Sequence, residues 1–291
     1  MLPRFRSTHA VAEQVAANAG ARAHAASFAG HRARLTEEIR ARAPAGGQGR
    51  LCLLGAGNAH DVDLEILGAA FGEIHLADVD GDAIRGARER APEGLRPRII
   101  THGPVDLSGV LDRLEGWAAA PPALSALERE LPAAVGRVVG RLPGPFDVVV
   151  SCCLLTQLQL EVLQVMGDAH PRFAELRGLV NAVHVRALLA LLGAPAGVGL
   201  LVTDMTSSAT YPLDELGPEA DLRRVMDDLV HAGNLIHAAH PGLLSSEVRR
   251  APSLKQAFTV RWPVGPWLWR NGPQRTYLVY GLELGHRPRD F

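Results

Sequence analysis

The stretch LCLLGAGNAHD, residues 51–61, decides the fold of this 291-residue chain. Its first four residues form a short apolar run typical of a buried strand, and Gly55-Ala56-Gly57 follows where that run ends. Glycines at such a point let the backbone turn sharply and approach a ligand without a Cβ in the way. The apolar spacing of residues 64–71 then favours a helix. The stretch therefore predicts a strand, a ligand-contacting turn and a helix, the first unit of an α/β sheet.

The same alternation continues along the chain. Further apolar strands are predicted at 74–77, 97–101, 146–151 and 198–203, with helices at 82–90 and about 173–192. Apolar strands separated by helices are typical of a parallel sheet covered on both faces. Two last strands, 256–262 and 276–282, are joined by a Gly/Pro loop and predict an antiparallel hairpin. The predicted fold is Rossmann-like α/β, a mostly parallel seven-stranded sheet with helices on both faces and a C-terminal hairpin.

The segment before this sheet has a different composition. Residues 7–42 are rich in Ala, Arg and Glu with apolar positions at helical spacing, and they predict two helices ended by a Pro/Gly breaker. We therefore expect residues 1–47 to form an N-terminal helical cap and residues 48–291 the main domain. The cap is either a lid over a ligand or a packing or dimerisation element. The Ala/Pro-rich residues 116–145 are expected to be partly irregular.

Composition excludes several classes of function. The chain is 47% hydrophobic with a formal net charge of −1, so disorder and general electrostatic binding to nucleic acid or an anionic membrane are disfavoured. Neither a signal peptide nor an apolar run long enough to span a bilayer is apparent, and we expect a cytoplasmic protein. The three cysteines form no metal pattern, and His231, His237 and His240 make only a weak metal case. No metal site is predicted.

Two acidic residues follow predicted strands. Asp78 ends strand two, about twenty residues past Gly57, where a ribose-binding carboxylate belongs in a nucleotide site of this architecture. We expect this carboxylate to be exposed at the strand end, and the alternative is that Asp78 and Asp80 only cap the next helix. Asp106, beyond strand three, lies between apolar residues and could accept a hydrogen bond from an adenine amine. Its alternative role is that of a solvated or helix-start aspartate.

In this order, the motifs resemble those of the class I S-adenosylmethionine-dependent methyltransferases. Residues 53–57 resemble the glycine-rich first motif of that family, 74–84 the second, 105–107 the third and 146–152 the fourth-strand motif. The resemblance covers about residues 49–285. It implies S-adenosylmethionine as cofactor and S-adenosylhomocysteine as product. The cofactor-binding residues that it implies are Gly55, Ala56, Gly57, Asp61, Asp78, Val79, Val105, Asp106, Ser151 and Cys152.

Two positions depart from the family pattern. An acid often stands two residues before the first glycine, and Leu53 stands there in this chain. His60 follows the position of the usual third small residue. The first departure leaves the amine of the methionine moiety without an expected partner. Asp61 or Asp63 could replace that acid, or could cap the following helix.

The acceptor, expected to be a small molecule, should lie beyond the ends of strands four and five, since open parallel sheets bind ligands at the carboxyl ends of their strands. Methyl transfer is an in-line displacement in which much of the catalysis is positioning, and a general base is needed only if the acceptor must lose a proton. Asp204 is the first candidate base, and His170 could also face the acceptor. Tyr211, Trp262, Trp267 and Trp269 either line an acceptor pocket or pack in the core and the hairpin.

Three alternatives remain open at this stage. A methyltransferase-like binding module without activity would keep the same motifs. A nicotinamide-dependent oxidoreductase would need a third small residue where His60 stands and does not explain the closing hairpin. An enzyme that transfers an aminopropyl or aminocarboxypropyl group would use the same cofactor pocket. A homodimer is possible.

Overall fold

The computed structural model describes residues 8–236, 239–273 and 275–288, and leaves the side chains of residues 8–10 and Trp262 undescribed. A seven-stranded sheet in the order β3-β2-β1-β4-β5-β7-β6 organises this part of the chain. The strands are β1 Arg50–Leu54, β2 Glu73–Ala77, β3 Ile99–His102, β4 Val148–Cys152, β5 Val198–Ser207, β6 Phe258–Arg270 and β7 Thr276–His286. The first five are parallel, whereas β7 is antiparallel to both β5 and β6. The predicted Rossmann-like fold is confirmed.

Helices cover the sheet, and their packing separates the core into two apolar clusters. Successive residues of β1 alternate between them, with Leu51 and Leu53 in one cluster and Cys52 and Leu54 in the other. This is the period of two that a strand buried on both faces must show. The helices are α1 Thr8–Ala23, α2 Ala29–Arg40, α3 Leu64–Ala70, α4 Gly81–Arg90, α5 Leu111–Ala119, α6 Leu124–Val139, α7 Leu155–Met166, α8 Phe173–Ala190, α9 Leu222–Ala232, α10 Pro241–Arg250 and α11 Pro252–Ala257.

Two parts of the main domain differ from the sequence prediction. Residues 116–145 are largely helical, because their alanines and leucines favour helix and most of their prolines stand outside α6, with only Pro132 inside it. Helix α7 follows β4 almost directly, in a segment for which the sequence analysis predicted acceptor contacts and no helix. The amphipathic spacing of its leucines is the signal that was missed.

The closing hairpin is longer than predicted. Strand β6 continues through Pro263 and Pro266, residues that the sequence analysis assigned to the connecting loop. It lies at the edge of the sheet, and its pairing with β7 shifts register on either side of Val264. Proline is tolerated at an edge strand and at such irregularities because no ladder hydrogen bond is lost there. Trp267 and Trp269 are therefore strand residues.

Helices α1 and α2 correspond to the predicted N-terminal pair. Leu35 and Ile39 of α2 are fully buried in the same apolar cluster as Leu51 of β1, so α2 is part of the core of the main domain. Its partners are α3 and β6. Among the described residues, no helix combines the length and the apolar character that crossing a membrane requires.

Candidate functional site

The candidate site lies where β1, β2 and β4 end side by side. Leu54, the last residue of β1, is in register with Ala77 on one side and Ser151 on the other. The turn at Gly55, the acid Asp78 and the segment after β4 therefore meet at the carboxyl edge of the sheet. Open parallel sheets bind ligands at this edge, outside the strand ends.

The turn after β1 requires its glycines. Gly55 has φ +74°, and a Cβ there would lie 2.7 Å from the Leu154 side chain. Gly57 has φ +46°, and a Cβ there would lie 2.8 Å from Oδ1 of Asn18. Both backbone conformations are ones that residues with a Cβ rarely adopt. The glycines let helix α1 and the segment after β4 approach this turn closely.

Asp78 holds the turn from the neighbouring strand. Its Oδ2 accepts a hydrogen bond from the Gly57 N–H at 2.8 Å, and its Oδ1 accepts one from the Asp80 N–H at 2.8 Å. The residue is only 4% exposed, so the expectation of an exposed carboxylate is wrong. Burial raises the pKa of Asp78 to about 6. Asp80 caps α4 through Oδ1, which accepts from the N–H groups of Asp82 and Ala83. The two acids thus have different roles.

Two clefts lie at this edge of the sheet, and Gln14 lines both. The first cleft has a volume of about 20 Å³ and is lined by Asp78, Val79, Val105, Asp106, Leu158 and Glu161, among others. The second cleft has a volume of about 100 Å³, and its lining includes Gly55, Ala56, Gly57, Asp61, Cys152 and Trp269. The structure thereby brings together, in two adjacent cavities, all the predicted cofactor-binding residues except Ser151.

Asp106 uses its carboxylate within its own loop. Oδ1 accepts hydrogen bonds from the Ser108 N–H, the Ser108 hydroxyl and the Gly109 N–H, and Oδ2 accepts one from the Leu111 N–H. This arrangement fixes the start of α5. It matches the helix-start alternative and leaves Oδ1 little capacity for a ligand, whereas Oδ2 accepts a single hydrogen bond.

The structure separates Asp61 from Asp63. Asp63 caps α3, with Oδ1 accepting from the N–H groups of Glu65 and Ile66. Asp61 faces the second cleft, and its Oδ1 is buried without a hydrogen-bond partner among the described residues. Burial raises the pKa of Asp61 to about 7, and the nearby Arg32 opposes that rise. A carboxylate oxygen that accepts no hydrogen bond is suited to a cationic ligand group.

His31 stands behind Asp61 and was not identified from the sequence. Trp267 donates its indole N–H to Nδ1 of His31 at 3.0 Å, so Nε2 must carry the proton of the neutral ring. Nε2 lies 3.5 Å from Oδ1 of Asp61. Burial lowers the pKa of His31 to about 3, so this contact is not an ion pair. No local signal marks His31, since α2 and β6 meet there only in the folded chain.

Ser151 and Cys152 occupy different environments. The Ser151 hydroxyl is fully buried and lies 2.8 Å from Nε2 of His184 in α8, and Ser151 lines neither cleft. Cys152 lines the second cleft, and burial raises its thiol pKa well above the ordinary value. The cysteine is therefore a neutral wall of the cleft at physiological pH.

Neither predicted catalytic residue lines a cleft. Asp204 is buried, its Oδ1 accepts from the Thr156 hydroxyl at 2.6 Å, and burial raises its pKa to about 6. His170 accepts at Nδ1 from the Arg172 N–H at 3.1 Å, and its Nε2 lies 3.2 Å from the Trp117 carbonyl. The structure gives His170 a role in its own loop. Catalysis by either residue stays a prediction.

The other singled-out side chains have structural partners. His231 contacts the Asp227 carbonyl of its own helix, and His240 accepts the Gly242 N–H at the start of α10. His237 lies outside the described residues, as does the side chain of Trp262. Within the described ranges, no group of three His, Cys, Asp or Glu side chains could hold a metal ion. Tyr211 packs against the core, whereas Trp269 both stacks on His31 and lines the second cleft.

Helix α1 closes over both clefts. Gln14 lines the first and the second cleft, and Asn18 donates to Oδ2 of Asp80 at 3.0 Å. Asn58 in turn donates to the Asn18 carbonyl at 2.6 Å. Glu13 of the same helix contacts Gln164 of α7. These contacts tie α1 to the glycine turn and to α7.

No protein-family model matches the sequence, and no curated protein matches it significantly. Among solved structures, the YcgJ protein of Bacillus subtilis is similar at 12% identity, over 88% of this chain and 98% of that chain, with a TM-score of 0.45. The glycopeptide N-methyltransferase MtfA in complex with S-adenosylmethionine is similar at 15% identity, over 88% and 95%, with a TM-score of 0.45. The mitomycin 7-O-methyltransferase MmcR is similar at 15% identity, over 88% and 54%, with a TM-score of 0.42. The strand order itself confirms the predicted set of five parallel strands closed by a hairpin.

Proposed function

We propose that this protein is an S-adenosylmethionine-dependent methyltransferase that acts on a small-molecule acceptor. The observation that carries the proposal is the position of Asp78 at the end of the strand beside the glycine turn. Its buried carboxylate lines the first cleft and accepts a hydrogen bond from Gly57, which lines the second. A carboxylate there accepts hydrogen bonds from ribose hydroxyls, with the base on one side and the amino-acid chain on the other.

The residues present fit such a cofactor. The first cleft offers the apolar side chains of Val79, Val105 and Leu158 to an adenine ring. The second cleft offers Asp61, whose unpartnered oxygen suits the ammonium of a methionine moiety. Between these ends, the backbone of Gly55, Ala56 and Gly57 lines the second cleft. S-adenosylmethionine has groups that match these three features: an adenine ring, an ammonium and a chain between them. S-adenosylhomocysteine, the product, has the same groups.

The same residues fit a nicotinamide dinucleotide poorly. A pyrophosphate is held by the free N–H groups of a helix that begins at the glycine turn. Here α3 begins only at Leu64, and Asp63 already caps its N–H groups. Asp61 of the second cleft would repel the phosphates, and none of the side chains that line this cleft is that of Lys or Arg. The charge of the site therefore favours a ligand without phosphates.

The cofactor would supply the electrophilic methyl group, and the chain would supply position. Asp78 and Asp61 would hold the two ends, so that the sulfonium lies beside the segment after β4 and the acceptor approaches in line. Trp269 and Cys152 would exclude water from that side. If the acceptor must lose a proton, Asp204 remains the proposed base, since burial brings its pKa to about 6. The predicted homodimer stays a prediction.

We propose further that α1 is the lid of this site. Both clefts are smaller than the roughly 300 Å³ of an ordinary small-molecule pocket, so a ligand enters only if their cover moves. We expect saturating S-adenosylhomocysteine to slow amide hydrogen exchange in residues 11–23 by at least about tenfold, because bound ligand favours the closed state. The peptides of α9 provide the internal control. Unchanged exchange in α1 on ligand binding would contradict a lid.

The experiment that tests the proposed function is calorimetric titration of the intact protein with S-adenosylmethionine, S-adenosylhomocysteine and NADH. We expect both adenosyl ligands to bind with micromolar dissociation constants and NADH to give no heat. Binding of NADH alone would overturn the proposal in favour of an oxidoreductase. Absence of binding by all three would point to a module that has the fold without the site.

A further inference from the structure

Glu161 is a half-buried residue whose carboxyl has no role in the proposed reaction. It lies on α7 at helical spacing from Leu158 and Leu154, and all three line the first cleft. Its Oε2 is buried and has no hydrogen-bond partner among the described residues. A buried polar atom without a partner costs free energy, so its presence in a cavity wall points to a ligand group that satisfies it.

The other two carboxylates of the first cleft are already engaged by backbone groups. Asp78 accepts from Gly57 and Asp80, and Asp106 accepts from four donors in its own loop. Helix α1 contributes Gln14, which is uncharged, and the remaining lining is apolar. Of the acidic side chains that line this cleft, Glu161 alone keeps an oxygen without a partner. It is therefore the carboxyl of this cleft with the most capacity for a ligand donor.

The surroundings of Glu161 also determine its charge. Burial, and then the negative charges of Asp106 and Asp78, raise the pKa of Glu161 to about 8. At neutral pH the side chain is a carboxylic acid, with one O–H donor and one acceptor oxygen. Glutamine offers the same pair, and glutamine pairs with adenine through the N6 amine and N7.

We propose that Glu161, in its neutral form, is the residue that recognises the adenine base by accepting from the N6 amine and donating to the neighbouring ring nitrogen. This inference rests on the proposed function, and it assigns to α7 a role that the sequence analysis gave to Asp106. Glu161 would select adenine over bases that lack this donor and acceptor pair.

The test compares E161Q and E161L with the parent protein by calorimetric titration between pH 6 and 9.5. The probes are S-adenosylhomocysteine and 5′-methylthioadenosine, of which the second lacks the amino-acid group and so does not titrate in this range. For the parent we expect 5′-methylthioadenosine affinity to fall about tenfold per pH unit above the pKa of Glu161. E161Q should bind as the parent does at pH 7 and remain independent of pH from pH 7 to 9.5, above the range in which Asp78 titrates. E161L should bind at least about tenfold more weakly throughout.

Glu247 of α10 is the matched control. Burial raises its pKa as well, and it does not line the first cleft, so E247Q should leave both the affinity and its pH dependence unchanged. If E161L binds both probes as the parent does, the inference is overturned while the proposed function stands. If E161Q is as weak as E161L, recognition by a neutral carboxyl is wrong. If the parent binds neither probe, the proposed function itself fails.

Discussion

Replacement of Asp78 with alanine is expected to weaken S-adenosylhomocysteine binding by at least about 100-fold. The carboxylate would accept from two ribose hydroxyls, and each charge-assisted hydrogen bond contributes about 1.5–3 kcal/mol. In this structure it also accepts the N–H groups of Gly57 and Asp80. Without it both N–H groups lose their partner, and we expect the free energy of unfolding to fall by about 2 kcal/mol.

Calorimetric titration and urea unfolding measure these two effects separately. Asp82→Ala is the control, because Asp82 lies on the same loop-helix junction with an exposed side chain. The variant should remain folded at 25 °C, since β2 and its neighbours are held by an apolar core that Asp78 does not enter. If folded Asp78→Ala protein binds the ligand as the parent does, the ribose has been placed at the wrong residue.

Replacement of Asp61 with asparagine is expected to weaken the binding of one ligand and leave the affinity of another nearly unchanged. S-adenosylhomocysteine should bind about 30-fold more weakly, because its ammonium loses a buried carboxylate partner. 5′-Methylthioadenosine, which has no ammonium, should bind within threefold of the parent. The control is Asp63→Asn, since asparagine caps a helix as well as aspartate does. Equal weakening of both ligands by Asp61→Asn would show that Asp61 holds the loop and not the amine.

The pH dependence of this interaction has a definite sign. Burial raises the pKa of Asp61 to about 7, and only the ionised form pairs with an ammonium. The preference for S-adenosylhomocysteine over 5′-methylthioadenosine should therefore increase from pH 6 to pH 8 in the parent and stay flat in Asp61→Asn. A preference that decreases with rising pH would contradict the pairing.

The raised pKa of Asp61 also affects the stability of the fold, and this effect has the opposite sign to its effect on ligand preference. The folded protein holds the Asp61 proton up to about pH 7, whereas the unfolded chain loses it near pH 4. Between these values the folded state binds more protons, so its stability falls as pH rises. Asp61→Asn removes that loss and should be more stable than the parent at pH 8, by about 1–3 kcal/mol in urea unfolding. A residue that lowers the stability of the fold is expected at a position where it binds a ligand.

The order of the elements could be predicted from the sequence, because apolar periodicity depends on local burial alone. Strands with few polar interruptions predicted the parallel sheet, and the missing helix between the last two strands predicted the hairpin. The cap by Asp80 also followed from sequence, since it is made within three residues. Helix α7 was missed because the segment after β4 was interpreted only by its expected contacts with an acceptor.

The sequence by itself determined the turn at Gly55 and the acid at Asp78, because both depend on backbone conformation and on position at a strand end. The bonds of Asp63 and Asp106 are likewise local, since their donors lie within five residues. Only the tertiary structure decided that Asp61 and Glu161 line clefts with buried oxygens that accept no hydrogen bond. The reason is that the surroundings of these two side chains come from elements distant in sequence, such as α1, α2, α7 and β6, which meet only after the chain has folded.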